Sequence, residues 1–258
     1  MESRPAPWIT ALRHSHGRLR ELVEPLDEDQ LRGQAYPKEW SIAQTLSHLG
    51  SGAEIFGLFL GAGLAGEEPP GQEAFAPVWA AWNGKSPAEQ ATDALSADNA
   101  LVERLESLSP EQLAGLRLAM FGMDVDAAML ARMRLGEHAL HSWDVAVALD
   151  PSATLPAEPT GLLIDTVDQF AGRMGKPAAQ PRRVRVTTSG PERAFVLDTG
   201  EPVSITDGTG AGAALPALAL PAEALIRLVY GRLDAGHTPA GVTSDVDLDE
   251  LRAVFPGF

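Results

Sequence analysis

The stretch Leu130–Asp150, LARMRLGEHALHSWDVAVALD, constrains this chain more than any other. Wound as a helix, it aligns Met129, Met133, Gly136, Leu140, Trp143 and Val147 at the alternating four-three spacing of a buried bundle seam. One residue along, Arg134, Glu137, His141 and Asp144 repeat that spacing in a parallel column about 100° around the helix. Such a column is either the solvent edge of the helix or a polar site turned toward the bundle interior.

A second stretch has the same construction. Ser41 reads as an N-cap with Gln44 as its capping-box partner. Ile42, Leu46, Leu49, Ala53, Phe56 and Leu60 make the seam, and Ser41, Thr45, His48, Gly52 and Ile55 run beside it. Gly52 lowers helix propensity and leaves space beside His48, for close helix packing or for a ligand. Two more helices complete a set of four. Trp8–Leu26 turns Ile9, Leu12, Leu19, Leu22 and Val23 inward, with His14 and His16 on a solvated basic face. Pro87–Leu108 turns Ala91, Leu95, Leu101, Val102, Leu105 and Leu108 inward, with Pro87 in its first turn. Gly61–Gly71 reads as a loop, Phe75–Trp82 as a short aromatic segment, Ser109–Gly115 as a connector and Met123–Leu149 as the fourth helix.

Asp150–Thr160 is rich in Pro and Ala and marks a domain boundary. Beyond it come a helix over Gly161–Met174 and short alternating strands at Val184–Thr188, Ala194–Asp198 and Pro202–Ile205. Helices over Leu220–Tyr230 and Asp247–Val254 follow. The run GTGAGAAL (Gly208–Leu215) lacks the Gly-Lys-Ser/Thr ending of a P-loop and reads as a turn. The fold class is therefore α plus α+β, a four-helix bundle over residues 1–152 followed by a small α+β domain over residues 160–258.

The formal charge of −15 over 258 residues argues against nucleic acid and anionic membranes as partners. No apolar run approaches the ~20 residues needed to span a bilayer. MESRPAPWITALRHSHGR has no apolar signal core, so the expected compartment is the cytoplasm. The absence of cysteine rules out disulfides, thiolate metal sites and a protein-borne thiol nucleophile, so any sulfur chemistry must come from a bound thiol. A balance of 17 Arg to 3 Lys suits a GC-rich bacterial genome.

Glu137 and His141 stand four residues apart and meet one turn from each other. With His48 from an antiparallel neighbour they compose a His₂Glu set, the composition of catalytic zinc with an open fourth position; imidazole and carboxylate also suit other divalent ions. Asp144 is placed to orient a ligand histidine. Arg134 is placed to grip a substrate carboxylate. Two alternatives stay open: a solvated Glu–His pair, or His138 acting with His141 at i,i+3.

Trp40-Ser41-Ile42-Ala43-Gln44-Thr45-Leu46-Ser47-His48-Leu49 and Gly136-Glu137-His138-Ala139-Leu140-His141-Ser142-Trp143-Asp144 together resemble the mycothiol-dependent maleylpyruvate isomerase family. Leu225-Ile226-Arg227-Leu228-Val229-Tyr230-Gly231-Arg232 and Val242-Thr243-Ser244-Asp245 are similar to that family's second domain. The resemblance implies a DinB-like metal-binding bundle and a sterol-carrier-like α+β domain. It places the metal ligands on His48, Glu137 and His141, with zinc as the first candidate ion, and puts Arg232 near the active site; a surface charge ending a helix is the plainer reading of Arg232. It also implies mycothiol as thiol cosubstrate, whose thiolate adds to an activated unsaturated acid, allows rotation, and leaves to give the trans isomer. Arg134 or Arg232 would hold the carboxylate or stabilise the enolate. An S-transferase using the same thiolate is the alternative reaction, and a non-catalytic metal or small-molecule binding protein the alternative class. The expected assembly is a monomer or homodimer.

Overall fold

Short polar caps set where the helices of the first part begin. In the computed structural model, which describes residues 4–212 and 214–257, Asp27, Ser41, Ser86 and Ser109 each close a capping box with Gln30, Gln44, Glu89 and Gln112. Each such cap is worth on the order of 1 kcal/mol. They start α2 (Glu28–Arg32), α3 (Ile42–Ala65), α5 (Pro87–Glu106) and α6 (Pro110–Gly115), with α1 (Ala6–Val23) ahead of them and α4 (Phe75–Asn83) between α3 and α5. A hairpin of β1 (Arg117–Met120) and β2 (Met123–Asp126) leads into α7 (Ala127–Leu149).

The four long helices form the bundle. Both α1 and α3 pack against α5 and α7, so the first and second bundle helices lie across a diagonal. The segment between them, with α2, crosses the end of the bundle. All six seam residues of α3, from Ile42 to Leu60, are buried. Trp82 of α4 fills the space above Gly50, where an added Cβ would meet the indole ring at 2.2 Å.

Three boundaries differ from the sequence reading. The helix expected to stop before Gly61 continues to Ala65 and ends at Gly66, whose φ of 66° is the left-handed cap that glycine adopts without strain. Residues 123–126, whose spacing continues the α7 pattern, form a strand instead, because Phe121 and Gly122 take φ of 52° and 76° and make a tight turn. That hairpin buries Leu118, Met120 and Val125, and it and α6 replace the plain connector. The helix expected over Gly161–Met174 is broken into α8 (Ala157–Leu163), a 3-10 turn and α9 (Val167–Met174).

The chain divides into Met1–Ala153 and Thr154–Phe258. The second unit, after α8 and α9, comprises β3 (Arg183–Ser189), β4 (Arg193–Asp198), β5 (Ser204–Asp207), β6 (Ala217–Pro221), α10 (Ala222–Val229), β7 (Thr243–Ser244) and α11 (Leu248–Val254). Its five-stranded sheet has the order β5-β4-β3-β6-β7, antiparallel except for β3 with β6. The β3 side chains alternate between core and exterior, and α10 packs on β3 and β6 while α9 packs on β5. Of the Gly208–Leu215 run, Asp207 closes a turn onto Thr209, and Ala213 lies outside the described residues. Among the described residues no helix is long and apolar enough to cross a membrane.

Candidate metal centre

The charged column of α7 faces inward. Arg134 and Asp144 are buried and His141 nearly so, whereas Met129 and Met133 of the apolar seam are only half-buried. Turning charged groups into a bundle requires partners for each of them, and α7 supplies two separate sets.

The first set joins α3 to α7. One ligand-type atom each from His48, Glu137 and His141 lies within 4.8 Å of the others. His48 Nε2 is 3.3 Å and His141 Nε2 3.6 Å from Glu137 Oε2. Asp144 Oδ2 is 2.8 Å from His141 Nδ1, which leaves Nε2 directed at the cluster. Trp40, just before the α3 cap, lies with its ring tilted, 5.0 Å from the His48 ring and 5.9 Å from that of His141. The His48 and Glu137 side chains keep 40% and 39% of their surface exposed, so the cluster is open to a small molecule. Burial holds the His48 imidazole below its ordinary value, with His141 adding to the effect and Glu137 opposing it. Desolvation would raise the Glu137 carboxyl, but the two imidazoles outweigh it and hold it well below the usual range. A neutral imidazole and an ionised carboxylate are the forms that ligate metals.

The second set lies deeper and joins α1, α5 and α7. Asp98 receives Arg134 Nη2 on Oδ1 at 2.8 Å, and its Oδ2 is 2.8 Å from His16 Nδ1 and 3.0 Å from His138 Nε2. Arg134 also donates to the Leu49 carbonyl at 2.9 Å. Ser15 Oγ and Ser142 Oγ stand 2.9 and 3.3 Å from His138 Nδ1. Burial alone would raise the Asp98 carboxyl, but His138 and the permanently charged Arg134 outweigh it and hold it well below the carboxylate range.

This second set decides four readings of the sequence. His16 does not lie on a solvated face; it is 3% exposed and bound to a carboxylate 82 positions away. Arg134 does not offer a grip for substrate, being 1% exposed and committed to Asp98 and Leu49. Of the two readings of Gly52 the structure supports packing, since the space is taken by Arg134, whose Nη1 lies 3.1 Å from where a Cβ would stand. His138 belongs to Asp98 and the serines, not to a pair with His141. Arg232 sits in the second unit, buried, donating to the Tyr230 carbonyl at 2.9 Å. Nothing in the sequence singles out Asp98, since Ser96-Ala97-Asp98-Asn99 resembles an ordinary polar helix face.

Residues 12–146 match the family model described as the mycothiol maleylpyruvate isomerase N-terminal domain. Two solved structures share the fold, each with a TM-score of 0.70 over 95% of this chain and 94% of theirs: a mycothiol-dependent maleylpyruvate isomerase at 15% identity and a histidine-to-alanine mutant of it at 14%. No curated protein matches the sequence.

Proposed function

This chain belongs to the mycothiol maleylpyruvate isomerase family, and from that premise we propose that it is a thiol-dependent isomerase whose His48, Glu137 and His141 hold a divalent cation. The observation that carries the reading is the convergence of these three donors in a half-exposed cluster, with Asp144 fixing the tautomer of His141. The donor set fits such an ion: two imidazoles and one carboxylate, with an orienting carboxylate behind one imidazole and access from solvent.

A divalent ion bound there, zinc first, would acidify a coordinated thiol and favour its thiolate at neutral pH. The protein residues do the remaining work. Asp144 accepts the Nδ1 proton of His141 and keeps Nε2 available, Glu137 stays ionised between the two imidazoles, and Trp40 walls the cluster on one side. The reaction proposed is addition of the mycothiol thiolate to the cis double bond of an activated unsaturated acid. A carbon–sulfur bond forms and the π pair moves onto the conjugated carbonyl as an enolate. Rotation about the new single bond and expulsion of the thiolate restore the double bond as trans, with no net change in protons or electrons. The absence of cysteine leaves the sulfur to the cosubstrate.

Metal content by elemental analysis, with maleylpyruvate isomerisation followed by NMR with and without mycothiol, tests this. The expected result is near one equivalent of ion at this cluster and thiol-dependent formation of the trans isomer, both lost in His48→Ala and His141→Ala. Accumulation of the thiol adduct in place of the trans acid would make the protein an S-transferase. Isomerisation indifferent to thiol and to both variants would overturn the reading.

A further inference from the structure

We propose that His16, Asp98 and His138 form a second cation site inside the bundle, separate from the His48 cluster and suited to a divalent ion of the cobalt–nickel–zinc class. One ligand-type atom from each residue lies within 4.8 Å of the other two, and all three side chains are buried. Two imidazole nitrogens, at 2.8 and 3.0 Å, converge on the single oxygen Asp98 Oδ2. Those separations are a few tenths of an ångström short of the about 3.3 Å between ligands on a tetrahedral ion with bonds near 2.0–2.1 Å. Small ring movements therefore open the site.

The atom that most needs a partner is His138 Nε2. It is fully enclosed, and its 3.0 Å approach to Asp98 Oδ2 is an ion-pair contact that lacks hydrogen-bond geometry. Its Nδ1 is taken by the hydroxyls of Ser15 and Ser142, which leaves Nε2 aimed at the carboxylate. The donors also have the outer support that metal ligands have: the serines hold the His138 ring, and Arg134, itself anchored on the Leu49 carbonyl, holds the other oxygen of Asp98. Because Arg134 already balances the Asp98 charge, the attraction must come mainly from imidazole nitrogen, which selects cobalt, nickel and zinc over magnesium and calcium. A route in exists. A cavity of about 450 Å³ between α1, α2 and α5 is lined by His16, Arg20, Leu31, Thr92, Ser96 and Asn99. The two clusters share no residue, although Glu137 and His138 are consecutive on α7.

The test is Co²⁺ titration of the chelator-stripped full chain, read by visible absorption and thermal unfolding, beside the double variant His48→Ala/His141→Ala. Two equivalents in the parent and one in the double variant, with a higher Tm on uptake, is the expected result. Adding His16→Gln to the double variant then abolishes uptake while the far-UV spectrum is kept. The double variant leaves the buried cluster intact, so its failure to take up Co²⁺ overturns the second site whatever His16→Gln does to folding. One equivalent in the parent that vanishes in the double variant overturns the second site and leaves the His48 cluster standing. One equivalent that survives the double variant and disappears with His16→Gln supports the second site and removes the first. No uptake by any form overturns both.

Discussion

At the scale of single residues, the molecule depends on where Asp98 sends its two oxygens. Asp98→Asn leaves the buried Arg134 guanidinium without a countercharge, and losing one partner of a buried pair costs about 3–5 kcal/mol. Urea unfolding of chelator-treated protein at pH 7 should show a loss in that range. The Asp98 carboxyl is held well below its ordinary value in the fold. Its contribution is therefore complete above the unfolded carboxylate range and disappears as pH falls through the lower folded value, because the unfolded chain takes up the proton first. The variant should lack that part of the acid dependence. In the outer cluster, Asp144→Asn keeps the shape but removes the charge behind His141. Weakening such a contact costs about 10–100-fold in metal affinity, measurable by competition with a chromophoric chelator. His48, Glu137 and His141 were readable in the sequence because i,i+4 spacing and a capped neighbouring helix bring them to one place. His16 and Asp98 were not, because a histidine among arginines and an aspartate in Ser-Ala-Asp-Asn take their meaning only from partners on other helices, 36 to 82 positions away.

At the scale of elements, two glycines separate helix propensity from packing. Gly17 lies within α1 with nothing inside 4 Å of an added Cβ, so Gly17→Ala should stabilise by about 0.5–1 kcal/mol. Gly50 lies within α3 directly beneath the rigid indole of Trp82, at 2.2 Å. There the same change should destabilise by about 1–3 kcal/mol despite the better propensity. Thermal or urea unfolding of the two variants decides both, and equal effects would show that the Trp82 contact carries no weight. The long helices were legible because their seams repeat over five or six turns. The β1–β2 hairpin was not: Met123 and Val125 fit the helical rhythm of α7, and only the positive φ at Phe121 and Gly122 shows the chain reversing. In the second unit, β6 and the two-residue β7 carry no strand signal of their own, because Ala217–Pro221 runs directly into α10 and β7 is too short to alternate.

At the scale of the whole molecule, both polar clusters lie within Met1–Ala153, which has a core of its own. A fragment of residues 1–153 should therefore fold and take up metal unaided, with a helical far-UV spectrum and a cooperative thermal transition. A fragment that binds no ion, or melts without cooperativity, would show that the bundle depends on the second unit. The diagonal placement of α1 and α3 has a further consequence, which belongs to synthesis on the ribosome. The first two bundle helices cannot pair as a hairpin as they emerge, since the neighbours of α1 are α5 and α7. Ser15 must wait for His138, 123 residues later, which at about 5–20 residues per second is roughly 6–25 s. For that interval the nascent first helix keeps exposed the groups that it will later pack against α7.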